Sequence, residues 1–119
     1  MEPNRQGEVL IFAEQENGVL SDVPLELLSK GRELADTLHV PLACVLAGHQ
    51  VGDLAQKLIR HGADTVYVAD DPRLKDYQTA SYARVVSDLI TERRPQICIF
   101  GATAMGRDLA PTVASAQRC

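Results

Sequence analysis

The stretch Gly101-Ala102-Thr103-Ala104-Met105-Gly106-Arg107-Asp108-Leu109-Ala110-Pro111 gathers two glycines, a hydroxyl and an arginine around what reads as the start of a helix. Exposed amides at a helix N-terminus attract anions. Gly101, Thr103, Gly106 and Arg107 are therefore the candidate residues of a phosphate or carboxylate site. The same residues also fit a packing role, with Gly101 in a tight turn, Thr103 as the helix cap, and Arg107 and Asp108 as a surface or subunit-contact pair. A lone glycine-rich turn is weak support for a nucleotide site, so packing is the preferred reading.

Other reactive residue types point to no chemistry of their own. Glu14-Gln15-Glu16-Asn17-Gly18 follows the first apolar run and puts two carboxylates where phosphate would be repelled. Neither GxGxxG nor GxxxxGK[ST] occurs, which removes the dinucleotide fingerprint and the P-loop. Asp70 and Asp71 stand before Pro72 with no histidine at ligand spacing, so they read as turn residues rather than a metal site. His39 and His61 fall at helix C-termini, where an imidazolium suits the dipole. His49 follows Gly48 at a strand end but lacks a serine, cysteine or carboxylate at a recognisable spacing. Cys44 and Cys98 lie inside apolar runs, as small buried thiols do, and with Cys119 they form no CxxC pair. A reducing compartment fits this cysteine usage, and no catalytic activity is expected of these residues by themselves.

Four apolar runs must position whatever site exists: Val9 to Ala13, Leu42 to Ala47, Thr65 to Ala69 and Ile97 to Phe100. Each is nearly continuous, the pattern of a strand covered on both faces. Between them, apolar residues recur every three or four positions. The spacing predicts helices over Pro24 to His39, with Leu27, Leu28, Gly31, Leu34, Ala35 and Leu38 inward, and over Val51 to His61, with Leu54, Leu58 and Ile59 inward and Gly62 as cap. A third runs from Asp76 to Arg94 on Tyr77, Ala80, Ala83, Val86 and Ile90, stopped by Pro95, and a fourth from Gly106 onward on Leu109, Ala110, Val113 and Ala114. Four βα units imply right-handed crossovers and an α/β class, a doubly wound parallel sheet with helices on both faces. In such sheets ligands bind beyond the carboxyl ends of the strands. The last residues, Ala116 to Cys119, fall in a helix with no fifth strand after it, so the domain is expected to continue.

The 119 residues are 45% hydrophobic and 24% charged, with a net charge of -4 and a pI near 5.3. Lysines and arginines are scattered, so no nucleic-acid partner is expected. No apolar run approaches the length needed to span a bilayer, so none is expected at a membrane. Residues 1–7 have neither a signal-peptide core nor a transit-peptide composition, which points to a bacterial cytoplasm.

Several stretches carry a resemblance: Glu8 to Glu14, Leu25 to Ala35 (LELLSKGRELA), Ala47-Gly48-His49 with Ala55 to Leu58, His61 to Val68, and above all Phe100 to Pro111 (FGATAMGRDLAP). Over essentially its whole length the sequence resembles the alpha subunit of electron-transfer flavoproteins. Asp70 to Leu74 with Asp76-Tyr77 is more similar to bacterial and anaerobe members than to mitochondrial ones. The resemblance implies an N-terminal α/β domain of adenine-nucleotide alpha-hydrolase-like fold, spanning residues 1–119, ahead of a C-terminal domain that holds most FAD contacts. It implies a structural and docking role for these residues, with no cofactor of their own. It further implies a heterodimer with a beta subunit, and a parent that passes electrons from acyl-CoA dehydrogenases or NADH-linked partners, as in fatty acid beta-oxidation, through FAD to an acceptor. The competing reading is a small nucleotide-binding domain of the universal-stress or ATP-pyrophosphatase type, which the Glu14-Gln15-Glu16 loop opposes. An unpaired edge on the fourth strand would make the chain self-associate.

Overall fold

The computed structural model describes residues 6–117, so Cys119 and residues 1–5 lie outside the described residues. The elements run β1 (Val9–Phe12), β2 (Gln15–Glu16), β3 (Val19–Leu20), α1 (Asp22–Leu38), β4 (Leu42–Gly48), α2 (Gly52–Arg60), β5 (Thr65–Asp70), a 3-10 turn (Pro72–Leu74), α3 (Thr79–Arg93), β6 (Ile97–Ile99) and α4 (Ala104–Gln117). β5, β4, β1 and β6 form a parallel four-stranded sheet in that order. Register is set by Val9 beside Leu42 and Ile97, and by Ala43 beside Thr65.

Side chains alternate across a strand, and β1 shows what that does here. Val9, Ile11 and Ala13 pack with Leu28 and Ala35 of α1 and Leu58 of α2, whereas Leu10 and Phe12 pack with Tyr82, Val86 and Ile90 of α3 and Leu109 and Val113 of α4. Helices therefore cover both faces, and the sheet is doubly wound as the βα order predicts. Phe12 stacks on Phe100, ring centroids 5.7 Å apart, on the α3/α4 side.

Not every expectation survives at the edges. All of β1 and β4 is buried, but β5 and β6 are only partly covered, and Val68 remains 43% exposed. Near-continuous hydrophobicity therefore overstated the burial of the outer strands, which among the described residues have a neighbour on one side only. Helix faces also shift. Ile59, expected inward, is 44% exposed, while on α3 the exposed Ala80 gives way to Tyr82, whose ring is buried and whose hydroxyl donates to the Leu74 carbonyl at 2.5 Å. Tyr82 lies four residues before Val86 and so shares its buried face, and ahead of α3 stands a 3-10 turn at Pro72–Leu74. It delays α3 to Thr79 and leaves Tyr77 outside the helix, edge-on to Tyr82 with centroids 5.0 Å apart. α1 ends as expected beside His39, which takes a left-handed φ of 57°, and α3 ends at Arg94, φ 49°, before Pro95.

No helix among the described residues is long and apolar enough to cross a membrane. Burial pushes the Cys44 and Cys98 thiols up to about 12. At pH 8 only about one thiol in ten thousand at either position would be ionised. Brief iodoacetamide treatment of the native chain at that pH should leave both unmodified, while denaturant exposes both; peptide mass spectrometry reads the difference.

Candidate functional site

The sheet order places the switch point between β1 and β6. α1 leaves one of these strands toward one face, and α3 reaches the other across the opposite face. Beyond the carboxyl ends of those strands stand Glu14 and the turn Gly101 to Thr103, where the fold would open a ligand crevice. Here a side chain of the protein reaches across it. The Thr103 hydroxyl donates a short hydrogen bond to Glu14 Oε1 and accepts one from the Gly106 amide at 3.0 Å. Thr103 is thus the N-cap of α4, and its other partner is a carboxylate from the end of β1.

The four sequence candidates stand together at the start of α4. Gly106 packs its Cα face onto the Gly101 carbonyl so closely that a Cβ would lie 2.0 Å from that oxygen. Gly101 in turn abuts Val23 of α1, where a Cβ would meet Cγ1 at 2.6 Å. Arg107 donates its backbone amide to the Thr103 carbonyl at 2.8 Å and is exposed. The Arg107–Asp108 pair suggested by adjacency gives way to a different contact. Asp108 accepts from Thr79 and from the Tyr77 hydroxyl at 2.6 Å, and these two bonds hold its carboxyl below the usual range.

Glu14-Gln15-Glu16-Asn17-Gly18, expected as a loop, is largely a β-hairpin. Asn17 (φ 54°) and Gly18 (φ 79°) form a two-residue turn with both φ values positive, joining β2 to β3. Asn-Gly is the sequence signal for such a turn, and it was present to be read. Gln15, buried in the hairpin, donates to the Ala47 carbonyl at 2.9 Å and accepts from the Gly18 amide at 2.9 Å. This ties the hairpin across the end of β4. Beneath it lies a recess of about 380 Å³ whose walls include Glu14, Glu16, Val19 and Met105. Two carboxylates line it, so a phosphate entering there meets repulsion.

At the neighbouring strand ends, Asp70 accepts from the Gln50 amide at 2.7 Å and the Val51 amide at 3.2 Å, tying the turn that leads into α2 to the end of β5. Asp71 accepts from the Arg73 backbone and guanidinium, which hold its carboxyl down at about 2. Both are structural, in keeping with a turn. His49 Nδ1 stands 3.8 Å from Asp70 Oδ1, too far for a hydrogen bond. Among the described residues no group of His, Cys, Asp or Glu could hold a metal ion.

Because Thr103 serves both Gly106 and Glu14, Thr103→Val should cost about 1–2 kcal/mol of stability. Urea denaturation should show the midpoint falling with an unchanged slope; an unmoved midpoint would remove the cap from the account of this edge.

The electron transfer flavoprotein domain model matches residues 9–118. The electron transfer flavoprotein subunit alpha of Thermoanaerobacterium thermosaccharolyticum is 47% identical over 112 residues, 94% of this chain and 34% of the relative. That of Megasphaera elsdenii is 47% identical over 110 residues, 92% of this chain and 32% of the relative. The acryloyl-CoA reductase electron transfer subunit beta of Anaerotignum propionicum is 43% identical over 108 residues, 91% of this chain and 29% of the relative. The chain spans about a third of the length of these curated relatives. Identity along nearly the whole chain, together with the family match, means that this chain belongs to the electron transfer flavoprotein domain family.

Proposed function

We propose that residues 1–119 act as an N-terminal structural and subunit-docking domain of an electron-transfer flavoprotein alpha subunit in a bacterial cytoplasm. The parent would carry electrons from an acyl-CoA or NADH-linked dehydrogenase through FAD to an acceptor, with a beta-type subunit as its heterodimer partner. The observation that carries the docking role is the carboxylate at the switch point. Glu14 hydrogen-bonds the cap of α4 where a nucleotide-binding domain of this topology would receive phosphate. A carboxylate there opposes the phosphates of FAD or AMP, which supports a flavin site in a part of the parent outside these residues.

The same contact argues against a stand-alone nucleotide-binding domain. Calorimetric titration of the chain with AMP, ATP and FAD should give no saturable heat, and co-expression with a beta-type subunit should give a complex on size exclusion. Micromolar nucleotide binding would overturn the docking reading, as would failure to co-elute. Among the described residues β6 has an open outer side, and we further propose that the chain pairs with itself there. Light scattering at high concentration should then give a mass above that of the monomer; a monomer would end this part of the proposal.

A further inference from the structure

The opposite edge of the sheet has a longer open side. β5 spans Thr65–Asp70 and pairs only with β4 among the described residues. The Asp71 amide donates to Gly48 on the β4 side at 2.9 Å, so the two-residue alternation of a strand turns the Val68 and Asp70 amides toward the open side. The devices that usually blunt an edge are missing. β5 contains no proline, lysine or arginine and is not shortened. Val68 is 43% exposed on it.

Beside this edge runs a groove between β5 and α3, made of two adjoining recesses of about 710 and 190 Å³ that share Ala69, Val85 and Asp88. Its floor is apolar and its rim is acidic. Asp70, Asp71, Asp88 and Glu92 face two arginines, Arg73 and Arg84. Arg73 is held by Asp71 at 2.9 Å, and Arg84 sits 3.9 Å from Asp88. The rim is left with an excess of negative charge. A second copy of this acidic chain would bring like charges together across a shared β5 edge, whereas lysines or arginines on an entering strand would be attracted.

We propose that the open side of β5 and the acidic groove beside it take up an extended cationic segment of a partner protein as an added strand. Main-chain hydrogen bonds to β5 supply the pairing, alternate apolar side chains cover Val68 on the face away from α3, and the basic side chains, on the α3 face beside Tyr67 and Ala69, meet Asp88 and Glu92. The inference rests on the edge and its charge, and stands apart from where the flavin binds.

The test is an NMR titration of the labelled chain with a short peptide alternating lysine and valine, set against one alternating glutamate and valine. The lysine peptide should shift the amides of Val66 to Asp70, Val85 and Leu89, slow exchange at Val68, and weaken as salt rises. Asp88→Lys combined with Glu92→Lys changes two exposed side chains without entering the core, and should weaken binding by at least about tenfold. Val68→Pro should abolish it, and its spectrum reports whether the fold is kept. Shifts elsewhere on the surface, equal response to the glutamate peptide, or unchanged affinity in the charge-reversed variant would each overturn the proposal. So would a dimer that Val68→Pro dissolves, since a second copy would then own this edge.

Discussion

Gly106→Ala should be among the most damaging single substitutions in the chain. The added methyl would lie 2.0 Å from the Gly101 carbonyl oxygen, and that neighbour is backbone, which cannot rotate aside. Relief requires moving the start of α4 off the turn after β6. That motion also breaks the Thr103 cap and its bond to Glu14. Overpacking with a backbone shift and loss of a cap together should cost at least about 3 kcal/mol. For a domain of this size the melting temperature should fall by about 10 °C or more. Gly52→Ala is the control, because nothing lies within 4 Å of its Cβ position and it sits in α2. That variant should melt at or above the parent temperature. Circular dichroism at 222 nm measures both, and equal melting of the two variants would show that α4 has room to move.

Tyr82→Ala is the second large effect, at about 4 kcal/mol. The ring is 2% exposed, lies in the cluster formed with Leu10, Val45 and Val86, and meets Tyr77 edge-on. Its hydroxyl donates to the Leu74 carbonyl, which fixes the turn between β5 and α3. Tyr82→Phe keeps the ring and removes only that bond, and should cost about 1–2 kcal/mol by leaving a buried carbonyl with one partner fewer. Urea titrations of the pair separate packing from hydrogen bonding. If the two variants are equally unstable, the hydroxyl rather than the ring anchors α3.

The strand runs were readable because a central parallel strand needs apolar side chains on both faces, and Val9 to Phe12 and Leu42 to Gly48 satisfy that without exception. Helix existence was readable from period. On α3, Tyr82 stands four residues before Val86 and eight before Ile90 and shares their buried face, where Ala80 does not. The start of α3 at Thr79 follows a 3-10 turn whose local hydrogen bonds periodicity does not record. The hairpin at Gln15–Leu20 was legible in Asn17-Gly18 alone.

At the carboxyl edge, residue types located the stretch from Gly101 to Asp108 and gave both of its possible meanings. They favoured a packing joint over an anion cradle, but they did not record the contact of Thr103 with Glu14, which lies 89 positions away in the chain. Chain order and hydrophobic pattern determine the layers, the strand interiors and the family, since these follow from local periodicity and from identity with relatives. Tertiary structure alone decided that Glu14 meets the α4 cap, that Asp70 holds the turn before α2, that Asp108 turns to Tyr77 and Thr79, and that β5 keeps an open edge among the described residues. Each of these depends on which distant segments the sheet order brings together, and that order is a property of the packed whole.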